Sequence, residues 1–411
     1  MNTPKRIHQI IISLFLIVSV NITMGQNQQN DAVFWGLFEE NIQNNLSQVD
    51  AYGAQFDKNA SMVLWYIGWR ADNDHSFPLS SCKNVYDAGY IPHIVWEPWI
   101  GVDDFLSGNL DADLEKFGQD IAEFGNPVML RWGHEFNGDW YPWSYNNNEL
   151  VPASKWIEAY KYVHDKIIEA GGTNAIWLWS PNCGNGGKNP QDFTLYYPGD
   201  DYVDWIAIDG YNWGTSQTWS SWQLFAGVFG PTYNKIVTKY PKKPIMISEF
   251  GCTGTGGNKA AWITDMFNQL KNNYKKIKAI VWFNVNKETD WRFNETVEST
   301  NAFKAGLADS MVSSDLDKLL NMPTIVLGKN EIRSMPEEIT IFPNPACDFL
   351  NIESSLKGDD EKIVIYNTSG LKVMEIDTKE GITDQQVNLK SLKKGMYFVS
   401  YKNTTKKFIK E

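Results

Sequence analysis

The chain has 411 residues, a formal net charge of −12, 43% hydrophobic residues and 21% charged residues. One globular unit of roughly 250–300 residues would leave about a hundred over, so a second, smaller domain is expected. With 37 basic residues against 49 acidic ones, the chain lacks the basic excess that a nucleic-acid partner demands, and a neutral ligand fits the balance better.

At the N-terminus Lys5 and Arg6 precede an apolar run at 10–20, followed by small and polar residues. This layout predicts a secretory signal over residues 1–25, since a spanning helix needs about 20 apolar residues. From 32 to 307 eight near-continuous apolar runs follow: AVFWGLF (32–38), SMVLWYIGW (61–69), YIPHIVWEPW (90–99), PVMLRWGHE (127–135), NAIWLWSPN (174–182), YVDWIAIDGY (202–211), KPIMISEFG (243–251) and IKAIVWFNVN (277–286). Such runs suit parallel strands buried on both faces. Between them lie helix-like segments at 111–124, 152–170 and 258–274. In the second, Trp156, Tyr160, Val163 and Ile167 recur at three- and four-residue steps, with Pro152 before them and Gly171-Gly172 after. Eight strand-helix repeats predict an α/β fold, a (β/α)8 TIM barrel over 26–309. No dinucleotide fingerprint or phosphate loop supports an open doubly wound sheet.

Residues 310–335 are expected to be a polar connector. Residues 336–411 alternate short strand-like runs with turn signals such as Asn367-Thr368-Ser369-Gly370 and Lys393-Lys394-Gly395, which predicts a small C-terminal β-sandwich. Cys82, Cys183, Cys252 and Cys347 are scattered without CxxC spacing, so a zinc knuckle is not expected; they are isolated small residues, or one pair bridges in an oxidising compartment.

In a barrel the C-terminal strand ends build the site. Glu135 closes the fourth run, inside RWGHEFNGDWYPW, and Glu249 closes the seventh. Two carboxyl groups can divide the cleavage of an acetal: one delivers a proton to the departing oxygen, the other attacks as a carboxylate. The surrounding indoles would desolvate Glu135 and raise its pKa, as an acid requires. The competing reading is a core Glu paired with Arg131. Tyr211 is placed to donate to Glu249, His134 to touch substrate or orient a carboxylate, and Asn137 to offer a hydrogen-bonding amide. Trp96, Trp140, Trp213 and Trp282 sit at or after strand ends, where an indole face can stack on a pyranose ring. Asp209, Asp204 and Glu97 come without metal-ligand spacing, so neither metal nor cofactor is expected.

The motifs HEFNGDWYPW (134–143), WLWSPN (177–182), IAIDGYNW (206–213), ISEFG (247–251) and VWFN (281–284) resemble glycoside hydrolase family 26, a family of retaining (β/α)8 enzymes. The resemblance covers 32–307. It implies Glu135 as acid/base, Glu249 as nucleophile, His134 and Trp140 as substrate-contacting neighbours of the acid, Tyr211 as the nucleophile's partner and Trp282 as a platform. The implied activity is endo-β-1,4-mannanase, with mixed-linkage β-glucanase and then β-1,3-xylanase as alternatives; the run Trp140-Tyr141-Pro142-Trp143 departs from the mannanase pattern. A non-catalytic glycan-binding surface protein is the alternative of a different class. FPNP (342–345), IYNTSGLKV (365–373) and LKKGMYFVSY (392–401) resemble a type A sorting domain of the type IX secretion system. That resemblance implies contact with the secretion machinery and a secreted or cell-surface location. A β-glycan substrate and a monomeric state complete the expectation.

Overall fold

The computed structural model describes residues 32–145, 151–184, 191–322, 339–354, 362–367, 371–377, 384–401 and 404–411. The expected signal segment, and residues 323–335 of the connector, lie outside them. Eight parallel strands close into a barrel in sequence order: β1 (Phe34–Phe38), β2 (Met62–Trp69), β3 (Ile91–Pro98), β4 (Val128–Trp132), β5 (Ala175–Trp179), β6 (Trp205–Asn212), β7 (Ile245–Cys252) and β8 (Ile277–Phe283). Each coincides with one of the eight apolar runs, β6 and β7 extending one residue beyond theirs. Nine helices accompany them among the described residues: α1 (Leu46–Phe56), α2 (Leu79–Asp87), α3 (Val102–Leu106), α4 (Asp111–Phe124), α5 (Ala153–Glu169), α6 (Phe225–Lys239), α7 (Lys259–Asn272), α8 (Val297–Leu307) and α9 (Leu316–Leu320).

Strand alternation sorts the core into two layers, because successive side chains point to opposite faces. Phe34, Met62, Leu64, Ile91, Val95, Met129, Leu178, Ala207, Met246, Ala279 and Val281 fill the barrel interior. The alternate residues, among them Trp35, Trp65, Trp96, Trp132, Trp177 and Trp282, pack in the larger shell with the helices. Twelve of the eighteen tryptophans are fully buried, so most of this chain's indole content is structural.

The barrel body continues past the boundary read from sequence. Val33 N donates to Met311 O (2.8 Å) and Ser313 N to Val33 O (3.0 Å). Leu319, with Met322 just beyond α9, joins the interior cluster of Phe34 and Met62. Residues 310–322 are thus not a free connector: the apolar residues of α9 cover the end of the barrel at which the strands begin.

The C-terminal unit contains β9 (Ile339–Phe342), β10 (Phe349–Ser354), β11 (Lys362–Asn367), β12 (Lys372–Asp377), β13 (Asp384–Asn388), β14 (Gly395–Tyr401) and β15 (Thr404–Lys410). They form two antiparallel sheets, β13-β10-β9 and β12-β11-β14-β15. Leu350, Ile352, Ile363, Ile365, Val387, Val399 and Phe408 make its core. All four cysteines of the chain are free.

Candidate active site

Polar side chains replace apolar ones in the upper interior of the barrel, and this exchange builds the site. Arg131 on β4, Asp209 on β6 and Ser248 and Glu249 on β7 are all buried there. Arg131 donates from Nε to Ser180 Oγ (3.0 Å) and from NH1 to Glu249 Oε2 (3.0 Å), and it pairs through NH2 with Asp209. Its guanidinium is therefore committed to two carboxylates, neither of them Glu135. The reading of Glu135 as Arg131's ion-pair partner is corrected accordingly.

Glu249 sits where the β6–β7 register slips: Ile208 pairs with Ile247 but Asp209 with Glu249, leaving Ser248 as an extra residue. A bulge of this kind re-aims the side chain that follows it. Glu249 accepts from Tyr211 Oη at Oε1 (2.6 Å) and from Tyr66 Oη at Oε2 (2.6 Å), besides Arg131. Burial, reinforced by the charge of Glu249, raises both phenols well above their ordinary pKa, so both remain protonated donors. Tyr211 is the partner expected from sequence; Tyr66, inside an uninterrupted apolar run, was missed.

Glu135 lies beyond the end of β4, in a tight turn. Gly133 and Glu135 both have left-handed backbone, at φ 57° and 51°. The other positive-φ non-glycines among the described residues are Asn41 and Asp57, types that tolerate this region, whereas a left-handed Glu costs of order 1 kcal/mol. The turn is fixed by Glu135 N donating to Ser180 O (2.7 Å) and Gly138 N to Glu135 O (2.9 Å). The strain directs the carboxyl to two neutral donors: Trp140 Nε1 to Oε2 (2.7 Å) and Asn182 Nδ2 to Oε1 (2.6 Å). Burial first, and the negative charge of Glu249 second, push Glu135 up to about 7, against the opposing pull of Asn182, Arg131 and Trp140.

The remaining expected residues divide sharply. Trp140 is 42% exposed and presents its ring beside Glu135, and Trp213 is partly exposed near Tyr211 (centroids 6.1 Å). His134 is buried, with Nε2 3.1 Å from Tyr141 Oη and its ring 6.2 Å from that of Tyr66. Asn137 is spent on structure: its Nδ2 donates to Asn182 O and Gly184 O (2.9 Å each) and its Oδ1 accepts from Asn182 N (2.8 Å). Rather than offering its amide to a ligand, it positions Asn182, which reaches Glu135. Trp96 and Trp282 are corrected. Strand parity turns Val95 and Val281 inward and these two indoles outward, where Trp96 stacks on Phe117 of α4 (4.3 Å) and Trp282 meets Phe303 of α8 (5.5 Å). Neither has any exposed surface with which to stack on a ligand. Phe283, one residue on, turns its ring toward Tyr211 (5.8 Å), which also meets Trp291 (4.7 Å).

The acidic residues that might have suggested a metal shell are separately engaged. Asp209 pairs with Arg131, Asp204 accepts from Trp177 N (2.8 Å) and Glu97 from Trp99 Nε1 (2.8 Å). Among the described residues no group of three or more His, Cys, Asp or Glu is arranged to hold a metal ion.

Residues 100–288 match the family model of glycosyl hydrolase family 26, and residues 340–411 match that of the secretion system C-terminal sorting domain. The chain is 40% identical over 253 residues to "Endoglucanase H" of Acetivibrio thermocellus, a match that covers 61% of this chain and 28% of that protein. It is 34% identical over 110 residues to a mannan endo-1,4-beta-mannosidase of Bacillus subtilis, covering 25% and 29% of the two chains. The chain thus spans under a third of the length of these relatives. Among solved structures, a double mutant of Cellulomonas fimi endo-beta-1,4-mannanase shares the fold, with TM-score 0.54, 14% identity, and 93% of this chain and 95% of that one covered. The chain therefore has a region that matches glycosyl hydrolase family 26, followed by one that matches a secretion system C-terminal sorting domain, and the latter marks a secreted or cell-surface protein.

Proposed function

We propose that the barrel is a retaining endo-glycosidase that cuts internal bonds of a β-glucan with mixed 1,3 and 1,4 linkages. Glu249 attacks the anomeric carbon. The bond to the leaving oxygen breaks as that oxygen takes the proton of Glu135, so the glycone is held as an ester on Glu249 and Glu135 is left ionised. Glu135 then removes a proton from water, the water oxygen displaces Glu249 from the anomeric carbon, and both carboxyls return to their starting states. One chain suffices, since every group named belongs to a single barrel.

The observation that carries this reading is the asymmetry of the two carboxyls. Glu249 faces a guanidinium and two phenols, the surroundings of an ionised nucleophile. Glu135 faces an indole and an amide and is pushed up to about 7, the surroundings of a group that carries a proton near neutrality.

For the substrate, the longer and stronger match favours glucan: 40% identity over 253 residues to a protein named endoglucanase, against 34% over 110 to a mannanase. This reverses the order expected from sequence, which put mannan first, and makes mannan the second reading. Reducing-end release from mixed-linkage glucan, mannan, β-1,3-xylan and cellulose, run side by side, tests it, with the first-formed anomer followed by NMR. Fastest release from mixed-linkage glucan, with the β-anomer appearing first, is the expected result. Faster release from mannan would overturn the substrate, and a first-formed α-anomer would overturn retention. Oligosaccharide binding without hydrolysis of any glycan would return the non-catalytic alternative.

A further inference from the structure

We infer that Trp219 is an outer sugar-binding platform, taking a pyranose ring of the glycan chain beyond those at the bond being cut. The inference rests on the glycan-cleaving reading and extends it to a residue that neither motif nor strand position had marked. In a chain that fully buries twelve of its eighteen tryptophans, only Trp140 and Trp219 are exposed by more than 40%. Trp140 is explained by its bond to Glu135. Trp219, at 70%, has no such explanation, and it continues a cluster of rings at the rim rather than standing alone, the setting in which an exposed aromatic face marks a ligand-binding groove.

Its place is continuous with the catalytic groups. Trp219 lies on the loop between β6 and α6, at the rim that carries Glu249. Its ring meets Trp213 (5.2 Å), and Trp213 meets both Trp291 (4.8 Å) and Tyr211 (6.1 Å). Tyr211 in turn donates to Glu249. An aromatic path therefore runs from the attacking carboxylate outward, with Trp219 two ring contacts from Tyr211, the reach of a polymer rather than of a short sugar.

The loop is also held in advance. Asn212 Oδ1 accepts from Gly214 N (3.2 Å) and Gln223 N (3.1 Å), closing its two ends on one side chain. Ser220 Oγ donates to Gly214 O (2.8 Å), and Thr215 N to Thr255 O (3.1 Å). Trp222 packs so closely on Gly257 that a Cβ there would lie 2.1 Å from its ring. A tip pinned this way gives up little freedom when a ligand covers it, which is what makes a single stacked ring useful for binding.

Trp219→Ala and Trp219→Tyr, compared on two substrates, test the assignment. One substrate is a mixed-linkage heptasaccharide; the other is a nitrophenyl disaccharide, too short to reach the loop. Trp219→Ala should lower kcat/KM on the heptasaccharide about tenfold more than on the aryl disaccharide, mainly through KM, and Trp219→Tyr should recover most of the loss. An equal loss on both substrates, or no loss on the longer one, would overturn the platform. If the wild-type protein cleaves neither substrate, the cleavage reading has failed rather than this one. Heptasaccharide affinity by calorimetry then decides the platform in the same direction, a tenfold weakening in Trp219→Ala supporting it and an unchanged affinity overturning it.

Discussion

Glu135 and Glu249 are buried to nearly the same degree, 6% and 9% exposed, yet their surroundings are opposite in kind. Glu249 stands on a strand, re-aimed by a bulge, and its oxygens accept hydrogen bonds from two phenols and a guanidinium. Glu135 stands in a left-handed turn, and its oxygens take an indole and an amide, with Arg131 committed elsewhere. The comparison teaches that burial alone does not assign an acid and a nucleophile. Desolvation penalises any carboxylate, and at Glu135, where no cation is hydrogen-bonded to the carboxyl, it pushes the pKa up to about 7.

The strongest way to break this comparison is to delete each carboxyl in turn. Glu249→Ala is expected to lower turnover roughly 10⁵-fold, because no other group supplies the attacking oxygen. Azide should restore turnover of an aryl glycoside with the opposite anomeric configuration in the product. Glu135→Ala should cost roughly 10²–10⁴-fold on a natural glycan and far less on a dinitrophenyl glycoside, whose leaving group needs no proton. Azide should then give a product of retained configuration. If the two variants exchanged these azide products, the assignment of acid and nucleophile would be reversed.

A smaller effect concerns stability. Because Glu135 is raised from its ordinary value of 4.5 to about 7, the folded protein holds a proton between those values that the unfolded chain has released. The resulting stability is fully present below about 4.5 and is lost as pH rises through about 7. Glu135→Gln keeps the shape of the side chain and cannot ionise. Relative to wild type it should gain about 2–3 kcal/mol between pH 4.5 and pH 8, on top of a pH-independent loss because its amide nitrogen cannot accept from both Trp140 and Asn182, as read by denaturant unfolding. An equal effect at both pH values would show that the gain has nothing to do with ionisation.

The sequence made the frame legible because parallel strands buried on both faces leave unbroken apolar runs, and all eight of these became barrel strands. Glu135 and Glu249 stood out because each interrupts or closes such a run. Less legible was the direction of each side chain. Trp96 and Trp282 looked like platforms from their closeness to strand ends, but their neighbours Val95 and Val281 point inward, so parity sends the indoles to the helix side. Counting parity along β2 from Met62 and Leu64 marks Tyr66 as inward-facing too, although nothing in WYIGW sets it apart from the apolar residues around it. Asn137 and Asn182 exchange roles for a different reason. Which amide reaches Glu135 depends on a contact between loops 45 residues apart, and local spacing carries no record of it.

The finest test separates the two neutral donors on Glu135. The Asn182 amide stabilises the ionised carboxyl more than the protonated one, so Asn182→Ala should raise the pKa of Glu135 above about 7 and move the alkaline limb of kcat/KM upward by about half to one pH unit. Trp140→Phe removes a donor while keeping an apolar ring against the carboxyl, and should shift the limb the same way. Trp140→Ala removes the donor but also admits water, and hydration of the charged form lowers the pKa, so its limb should fall below that of Trp140→Phe. Identical limbs in the two Trp140 variants would mean that the ring contributes only its hydrogen bond. The desolvation that distinguishes Glu135 would then have to come from Phe136 and the turn beneath it.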